Sequence, residues 1–334
     1  MNWLTTTQLW TILSDPNLWS GTLREATPLA LAAMGGVISE RSGVVNIAME
    51  GMMLTGAFFG FVFTLLFSNV AVGLLAAIVT GGIMASFHAF AAIRLRADQI
   101  VVGMAVNLVA LGLTSFLLFQ KYSSNSLTTC LPPTPCTKGQ LRTIPDWTVS
   151  VFHLDQIPAL GSVLFQQNPL VYLMLLIVVL THFLLFRTTL GLRIRAVGEH
   201  PRAADTAGIN VQRLRYLSVI LSGMLSGLAG GYLSLAVAYG FSDNMTAGRG
   251  FIALAAMIFG KWTPFGAFGA CLLFGFGSQL GYSLQNVVIG SFQVSPNLIS
   301  TLPYVVTIVA LAGFIGRAIP PAADGLPYDP AEAG

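Results

Sequence analysis

The basic residues of this chain are most concentrated in one short stretch. Residues 187–215 hold six of its 16 Lys and Arg residues, and apolar stretches flank them on both sides. Cations beside membrane-length apolar segments are retained on the cytoplasmic side. Gly198 interrupts the stretch, Pro201 suits the first position of a helix, and Gly208 suits a helix end. The pattern predicts a helix of one to two turns between Glu199 and Gly208, lying under a membrane and shaped to dock on a soluble partner.

A second group of polar residues lies inside apolar segments. Asn46 and Glu50 are four residues apart and share one helical face, which is unlikely to meet lipid. An ionisable group in a membrane segment indicates a cavity or a partner, so Glu50 either hydrogen-bonds neighbouring helices or contacts a solute. Asn107 and Asn286 are neutral hydrogen-bonding groups, and Phe58 could stack on a base. These five residues are the candidates for a translocation pathway, with interhelical packing as the alternative for each.

The sequence contains no pattern typical of an enzyme. Gly260 and Lys261 are followed by Trp262, so the phosphate cradle and the magnesium-binding hydroxyl of a P-loop are absent. No nucleophile elbow or zinc-protease motif is present, and the histidines are far apart, so no metal site is predicted. Cys130 and Cys136 fall in a segment expected outside the cell, where a disulfide between them is possible.

Composition predicts an all-α polytopic membrane protein. The chain has 54% hydrophobic but only 9% charged residues, far below the roughly 25% charged residues of soluble domains. Its net charge of +3 comes from cations clustered beside apolar segments, which argues against nucleic-acid binding. About nine membrane helices, with a range of eight to ten, are predicted. The predicted segments are 22–39, 44–67, 70–93, 99–120, 169–186, 214–238, 246–260, 265–289 and 298–316.

The distribution of cations predicts the organisation of the chain. Residues 1–319 form a single transmembrane domain, in which 121–168 is an extracellular or periplasmic loop and 187–215 a cytoplasmic loop. Most Lys and Arg residues then lie inside, with the N-terminus outside and the C-terminus inside. Residues 320–334 are rich in Pro, Ala and acidic residues and are expected to be a disordered cytoplasmic tail.

Two glycine-punctuated segments suggest broken helices in both halves of the chain. Residues 43–60 and 250–267 each combine a polar start with an apolar, glycine-rich continuation. Broken helices at corresponding positions of two halves are typical of a pathway near the membrane midplane, built from repeats. The alternative is a chance similarity, because Gly and Ala are common in membrane helices.

Two longer motifs resemble a known family. Residues 191–211, together with the glycine-rich run 222–231, resemble the coupling region of permease subunits in the branched-chain amino acid and ribose branch of ABC importers. Residues 40–54, with the sequence ERSGVVNIAMEGMML, are similar to permeases of nucleoside and simple-sugar uptake systems. The resemblance covers roughly residues 16–317. The segment with Cys130 and Cys136 departs from the family pattern.

The resemblance implies a type II ABC importer permease fold in a bacterial inner (plasma) membrane. It also implies a second, different permease chain, an extracellular solute-binding lipoprotein, and two cytoplasmic ABC ATPase subunits. The ATPases would bind ATP and Mg²⁺, and this chain would bind no cofactor. The residues expected to couple to the ATPase are Arg195, Glu199, His200, Pro201, Arg202, Ala203, Ala204, Asp205 and Gly208.

Import of nucleosides is therefore the leading interpretation of this chain. A simple sugar or a branched-chain amino acid is the alternative cargo within the same class of importer. From a different class, the chain could be an ion-coupled secondary transporter working alone. That interpretation requires several buried carboxylates and leaves the helix at 199–208 unexplained.

Overall fold

The computed structural model describes residues 13–122, 126–128, 163, 167–284, 288–289, 292–293 and 318–329. Within them the chain is predominantly helical, as predicted. The ten helices described below are α1 Pro16–Glu40, α2 Met49–Phe67, α3 Val70–Ala89, α4 Gln99–Tyr122, α5 Pro169–Arg187, α6 Thr189–Glu199, α7 Pro201–Thr206, α8 Val211–Tyr232, α9 Arg249–Phe259 and α10 Pro264–Leu284. π-Helical turns extend α3 over Phe90–Arg94 and α8 over Leu233–Val237.

Six helices in the described part of the chain are long and apolar enough to span a membrane: α2, α3 with its π-helical turn, α4, α5, α8 and α10. Helix α1 has 25 residues but also contains Arg24 and Glu25. Helix α9 has only 11 residues, in agreement with the short seventh segment predicted at 246–260. The predicted segment 298–316 lies outside the described residues, so the count of about nine remains a prediction.

Four short strands accompany the helices. β1, Ser126–Thr128, pairs antiparallel with β2, Gly240–Ser242, so part of the predicted 121–168 loop lies against the end of α8. β3, Val288–Ile289, and β4, Phe292–Gln293, form a second antiparallel pair. The rest of the 121–168 segment, apart from residues 121, 122, 163, 167 and 168, is outside the described residues.

Helices α1 and α8 form the centre of the bundle. Helix α8 packs on α1, α2 and α3, and α1 also packs on α5, α9 and α10. The backbones approach closely because small residues lie at the crossings. A Cβ atom added at Gly35 in α1 would lie 2.7 Å from the carbonyl oxygen of Ser222 in α8. Such contacts explain the abundance of glycine, since membrane helices associate through close van der Waals packing.

The start of α1 differs from the predicted 22–39 segment. The helix begins six residues earlier, because the Asp15 side chain accepts a hydrogen bond from the Asn17 amide and Pro16 occupies the first helical position. At the other end, Glu40 is followed by a turn in which Gly43 has a φ of +86°. That left-handed conformation favours glycine and separates α1 from α2.

The prediction of a disordered tail is wrong for those residues of the tail that the structure describes. Residues 320–329, here called the C-terminal strap, pack across the end of the bundle that contains α6 and α7. We call this the coupling end. Ala323 and Tyr328 are buried there, and Arg215 of α8 donates a hydrogen bond to the carbonyl oxygen of Leu326 at 2.9 Å. Composition suggested disorder, but contacts with residues distant in sequence hold the strap.

Candidate functional site

The predicted docking helix is present as a separate element. Helix α6 ends at Glu199, and His200 leaves helical geometry with φ −140° and ψ 78°. Pro201 then opens α7, which ends at Thr206. Gly208 has a φ of +81° and turns the chain toward α8, where the Asn210 side chain accepts a hydrogen bond from the Arg213 amide. Pro201 and Gly208 thus act as the sequence analysis predicted. The predicted interruption at Gly198 is wrong, because Gly198 is buried inside α6 and the break falls two residues later, at His200.

Helix α7 has one attached face and one exposed face. Ala204 is buried in a small apolar cluster with Val197, Val211 and Tyr328. The remaining coupling candidates on or beside the helix divide by exposure: Glu199, His200, Arg202, Ala203 and Gly208 are exposed, and Pro201 and Asp205 are half-buried. The exposed set presents both charges and small residues, a surface suited to a polar protein partner.

Two arginines fix the base of this element. The guanidinium of Arg195 lies 5.0 Å from the centre of the Phe186 ring, so this candidate is held against α5 by a cation–π contact and does not join the exposed face. Arg41 forms an ion pair with Glu199 at 4.0 Å and donates a hydrogen bond to the carbonyl oxygen of Trp262 at 2.9 Å. Arg41 thereby connects the end of α1 to both the α6–α7 junction and the α9–α10 turn.

Glu50 lies at the junction of the two segments that were predicted to be broken. Its side chain is buried, and its two carboxylate oxygens accept hydrogen bonds from the amides of Gly248 at 2.8 Å and Gly250 at 2.5 Å. These amides are at the N-terminus of α9, where unpaired donors and the helix dipole favour a negative charge. The geometry favours the structural alternative for Glu50, because each oxygen already accepts a hydrogen bond from the start of α9.

The Asn107 side chain likewise forms hydrogen bonds with backbone groups, here at the start of α2. Its side-chain oxygen accepts from the Gly51 amide at 2.7 Å, and its amide nitrogen donates to the carbonyl oxygen of Ile47 at 3.0 Å. Gly51 leaves no room for a side chain, since an added Cβ would lie 2.9 Å from the Asn107 oxygen. Asn107 and Glu50 therefore hold one joint at the start of α2, where Asn107 connects α2 to α4 and Glu50 connects it to α9.

The other pathway candidates are more dispersed. Asn46 is fully buried and donates to the Ser222 hydroxyl at 2.8 Å, but its side-chain oxygen has no hydrogen-bond partner. Phe58 is buried in edge-to-face contacts with Phe59 and Phe241, which supports its packing interpretation. Asn286 lies outside the described residues.

The three cysteines lie in two parts of the chain. Cys130 and Cys136 lie outside the described residues, so their disulfide remains a prediction. Cys271 is fully buried in α10 as a free thiol. Among the described residues, no group of three or more His, Cys, Asp or Glu side chains is arranged to hold a metal ion.

One polar cluster at the coupling end was missed by sequence reasoning. The buried Glu40 carboxylate accepts a hydrogen bond from the Trp262 indole at 2.6 Å and also faces Asp324 of the strap. Burial raises the pKa of Asp324 to about 7, although hydrogen bonds to Glu40 and Gly325 and the nearby charge of Arg215 lower it. In the sequence, this cluster is indicated only by polar residues at the ends of predicted helices. No feature of the sequence shows that these residues contact one another.

These features define a helical, multi-pass membrane protein with a short separate helix, α7, at one end, and comparison with known proteins identifies its family. A family model described as the permease component of branched-chain amino acid transport systems matches residues 18–311. The chain belongs to this family.

Three curated relatives match most of the chain. The guanosine ABC transporter permease protein NupQ of Bacillus subtilis is 44% identical, over 92% of this chain and 94% of that protein. The nucleoside ABC transporter permease protein NupC of Lactococcus lactis is 40% identical, over 91% and 93% respectively. The putative glucose ABC transporter permease protein TsgC13 of Haloferax volcanii is 35% identical, over 88% and 90%. The family prediction from the two sequence motifs is confirmed.

Proposed function

We propose that this protein is the membrane-spanning permease subunit of an ATP-driven importer of nucleosides. The observation that carries the proposal is the similarity over nine-tenths of the chain to two permeases named for guanosine and nucleoside transport. The similarity to a permease named for glucose makes simple sugars the second candidate. Selectivity is expected to reside largely in an extracellular solute-binding lipoprotein.

The exposed face of α7 is the proposed docking surface for a cytoplasmic ABC ATPase. Arg202 and Ala203 are exposed on a helix that is bounded by a break at His200 and a glycine turn at Gly208. A short helix of this kind can move as a unit when a partner binds. The ATPase would bind ATP and Mg²⁺, and closure of its nucleotide-binding dimer would displace α7 and shift the membrane helices between outward- and inward-open arrangements.

The proposed assembly also contains a second permease chain, which completes the central pathway. In this assembly, the present chain lies in a bacterial inner membrane with its N-terminus outside the cell and α7 inside. Helices α3, α4 and α5 display large apolar side chains on their outer faces, and these surfaces suit either lipid or the second permease. Phe87 in α3, Leu108 in α4 and Phe183 in α5 are examples, each more than half exposed.

ATP-dependent uptake by reconstituted vesicles tests the proposal. Vesicles would contain this chain with its ATPase and second permease, and uptake of radiolabelled adenosine or uridine would be measured with the binding protein present. Each component is then omitted in turn. Uptake that requires every component supports the nucleoside importer.

Three other results would contradict it in different ways. Uptake of glucose but not of nucleosides would favour the sugar importer. Uptake by this chain alone, driven by an ion gradient, would indicate a secondary transporter. An ATPase that fails to copurify with the chain would contradict the ABC assembly itself.

A further inference from the structure

The C-terminal strap is bonded to both sides of the α6–α7 junction. The Ala323 amide donates to the carbonyl oxygen of Gly198 at 2.8 Å, and the Ala322 amide donates to a Glu199 carboxylate oxygen at 3.2 Å. Beyond the junction, the Tyr328 hydroxyl donates to the Asp205 carboxylate at 2.7 Å. The strap therefore follows α7 along its length, although the two are separated by more than a hundred residues in sequence.

Tyr328 contributes a packing contact as well as a hydrogen bond. Its buried ring completes the apolar cluster that holds Ala204, the one buried residue of α7. The cluster also contains Val197 from α6 and Val211 from α8. Without the ring, Ala204 would keep its contacts with α6 and α8 but would lose the largest side chain in this cluster.

The other side of the strap is bonded to the membrane helices. Arg215 of α8 donates to the carbonyl oxygen of Leu326 at 2.9 Å, and Asp324 faces Glu40 at the end of α1. Arg96, in the turn between α3 and α4, forms a two-pronged ion pair with Asp329, with one N···O distance of 2.7 Å. The strap thus contacts the ends of α1 and α8 and the α3–α4 turn.

These contacts place one segment between α7 and the bundle. Helix α7 also packs on α6 and α8 through Ala204, and the end of α6 contacts Arg41 through the Glu199 ion pair at 4.0 Å and the close approach of Gly198 to the Arg41 backbone. Packed side chains and hydrogen bonds carry coupling between elements. The strap adds a further connection of this kind, from α7 to α1, α8 and the α3–α4 turn.

We propose that the C-terminal strap is a positioning element of the coupling helix, and that Tyr328 fixes α7 to the strap so that displacement of α7 reaches α1, α8 and the α3–α4 turn. This inference rests on the proposed function, because it assigns a role in energy coupling. It predicts that damage to the Tyr328 contact lowers the amount of solute moved per ATP, while the ATPase still binds.

The experiment measures the ratio of solute uptake to ATP hydrolysis in vesicles containing the complete complex. Tyr328→Ala removes the ring and the hydroxyl, and Tyr328→Phe removes the hydroxyl alone. Leu326→Ala is the matched control within the strap, because its side chain is 58% exposed and its carbonyl contact with Arg215 is retained. We expect Tyr328→Ala to lower the ratio at least about fivefold, Tyr328→Phe to lower it less, and Leu326→Ala to leave it unchanged.

Copurification of the ATPase and the thermal midpoint of each complex separate coupling from folding. A Tyr328→Ala complex that assembles with the wild-type ratio would overturn the inference. If Tyr328→Ala fails to fold, Tyr328→Phe decides in the same way: a ratio equal to that of wild type overturns it, and a lowered ratio supports it. If the wild-type complex itself shows no ATP-dependent uptake, the proposed function fails instead.

A distance measurement tests directly whether the strap moves together with α7. Spin labels at Leu326→Cys and Thr206→Cys, both exposed positions and neither assigned to the docking surface, would be introduced after replacement of the three native cysteines. The label-to-label distance should be the same in nucleotide-free and ATP-trapped complexes, because the strap moves with α7. A distance that increases on ATP binding would show α7 leaving the strap and would overturn the proposal.

Discussion

Replacement of Glu50 by Gln tests the joint between α2 and α9. In the native joint, two backbone amides at the N-terminus of α9 donate to the two oxygens of one buried carboxylate. The amide of Gln keeps one acceptor oxygen but directs an NH₂ group at the second donor. One amide, either that of Gly248 or that of Gly250, would then be buried without a partner.

The expected loss of stability follows from the two hydrogen bonds that Glu50 accepts. Hydrogen bonds to charged groups contribute about 1.5–3 kcal/mol each, and a charge at a helix N-terminus contributes up to about 2 kcal/mol in a partly buried position. These effects overlap, because the same charge produces both. The expected loss for Glu50→Gln is therefore about 3 kcal/mol in the free energy of unfolding. Asn107→Ala, which removes two neutral hydrogen bonds at the same joint, should cost about 2 kcal/mol.

The assay is reversible unfolding of the purified protein in mixed detergent micelles, followed by circular dichroism. Uptake by reconstituted complexes is measured in parallel. A Glu50→Gln protein with wild-type stability but strongly reduced uptake would refute the reasoning and favour direct contact between Glu50 and the solute. Thr80→Ala in α3 is a control for loss of a polar side chain, since the Thr80 hydroxyl bonds only within its own helix.

Three further perturbations test other parts of the molecule. Arg202→Glu reverses a charge on the exposed face of α7, and at least about a tenfold loss of ATP-driven uptake is expected with normal membrane expression; unchanged uptake would argue against this docking surface. Gly35→Ala forces a Cβ atom to within 2.7 Å of the α8 backbone and should destabilise the bundle by about 1–3 kcal/mol, measured by thermal unfolding, whereas Gly269→Ala meets nothing within 4 Å and should be neutral or slightly stabilising. Burial raises the pKa of Asp324 to about 7 in the docked strap, whereas a solvent-exposed Asp titrates near about 3.9. Because the raised pKa means that docking favours the protonated form, the strap should be held most firmly at low pH and weaken as pH rises from about 4 to about 7. Protease sensitivity of the strap should follow that window, and Asp324→Asn should weaken the pH dependence without necessarily removing it, because the buried Glu40 faces Asp324 in the same contact; an identical profile in the variant would contradict the assignment.

The start and end of α7 were predictable because they depend on local preferences. Pro201 and Gly208 have their conformational preferences wherever they occur, whereas Gly198, which was expected to interrupt the chain, is accommodated inside α6 and the break falls at His200. The membrane segments were predictable for the same reason, since their length and apolar composition are properties of the segments themselves.

The partners of the polar residues were not predictable, because they are distant in sequence. Glu50 could be recognised as a group that needs a partner, but the amides that satisfy it are about 200 positions away. The strap is a clearer example of partners that could not be predicted because they are distant in sequence. Its Pro- and Ala-rich composition suggested disorder, whereas Tyr328 and Asp324 contact Asp205, Glu40 and Arg215, all of which are distant in sequence.

Helix α8 is the element best placed to carry movement from the coupling end into the membrane. Its first turn follows Gly208 directly, its Arg215 is bonded to the strap, and its Ser222 accepts the hydrogen bond from the buried Asn46. The same helix packs against α1, α2 and α3 through glycines whose Cβ positions are already occupied by neighbouring backbone. Such a core has no free space into which α8 could shift alone, because packed interiors transmit strain. A displacement of α7 should therefore move α8 together with α1, α2 and α3 as one body, and the joint at Glu50 is where that body meets α9.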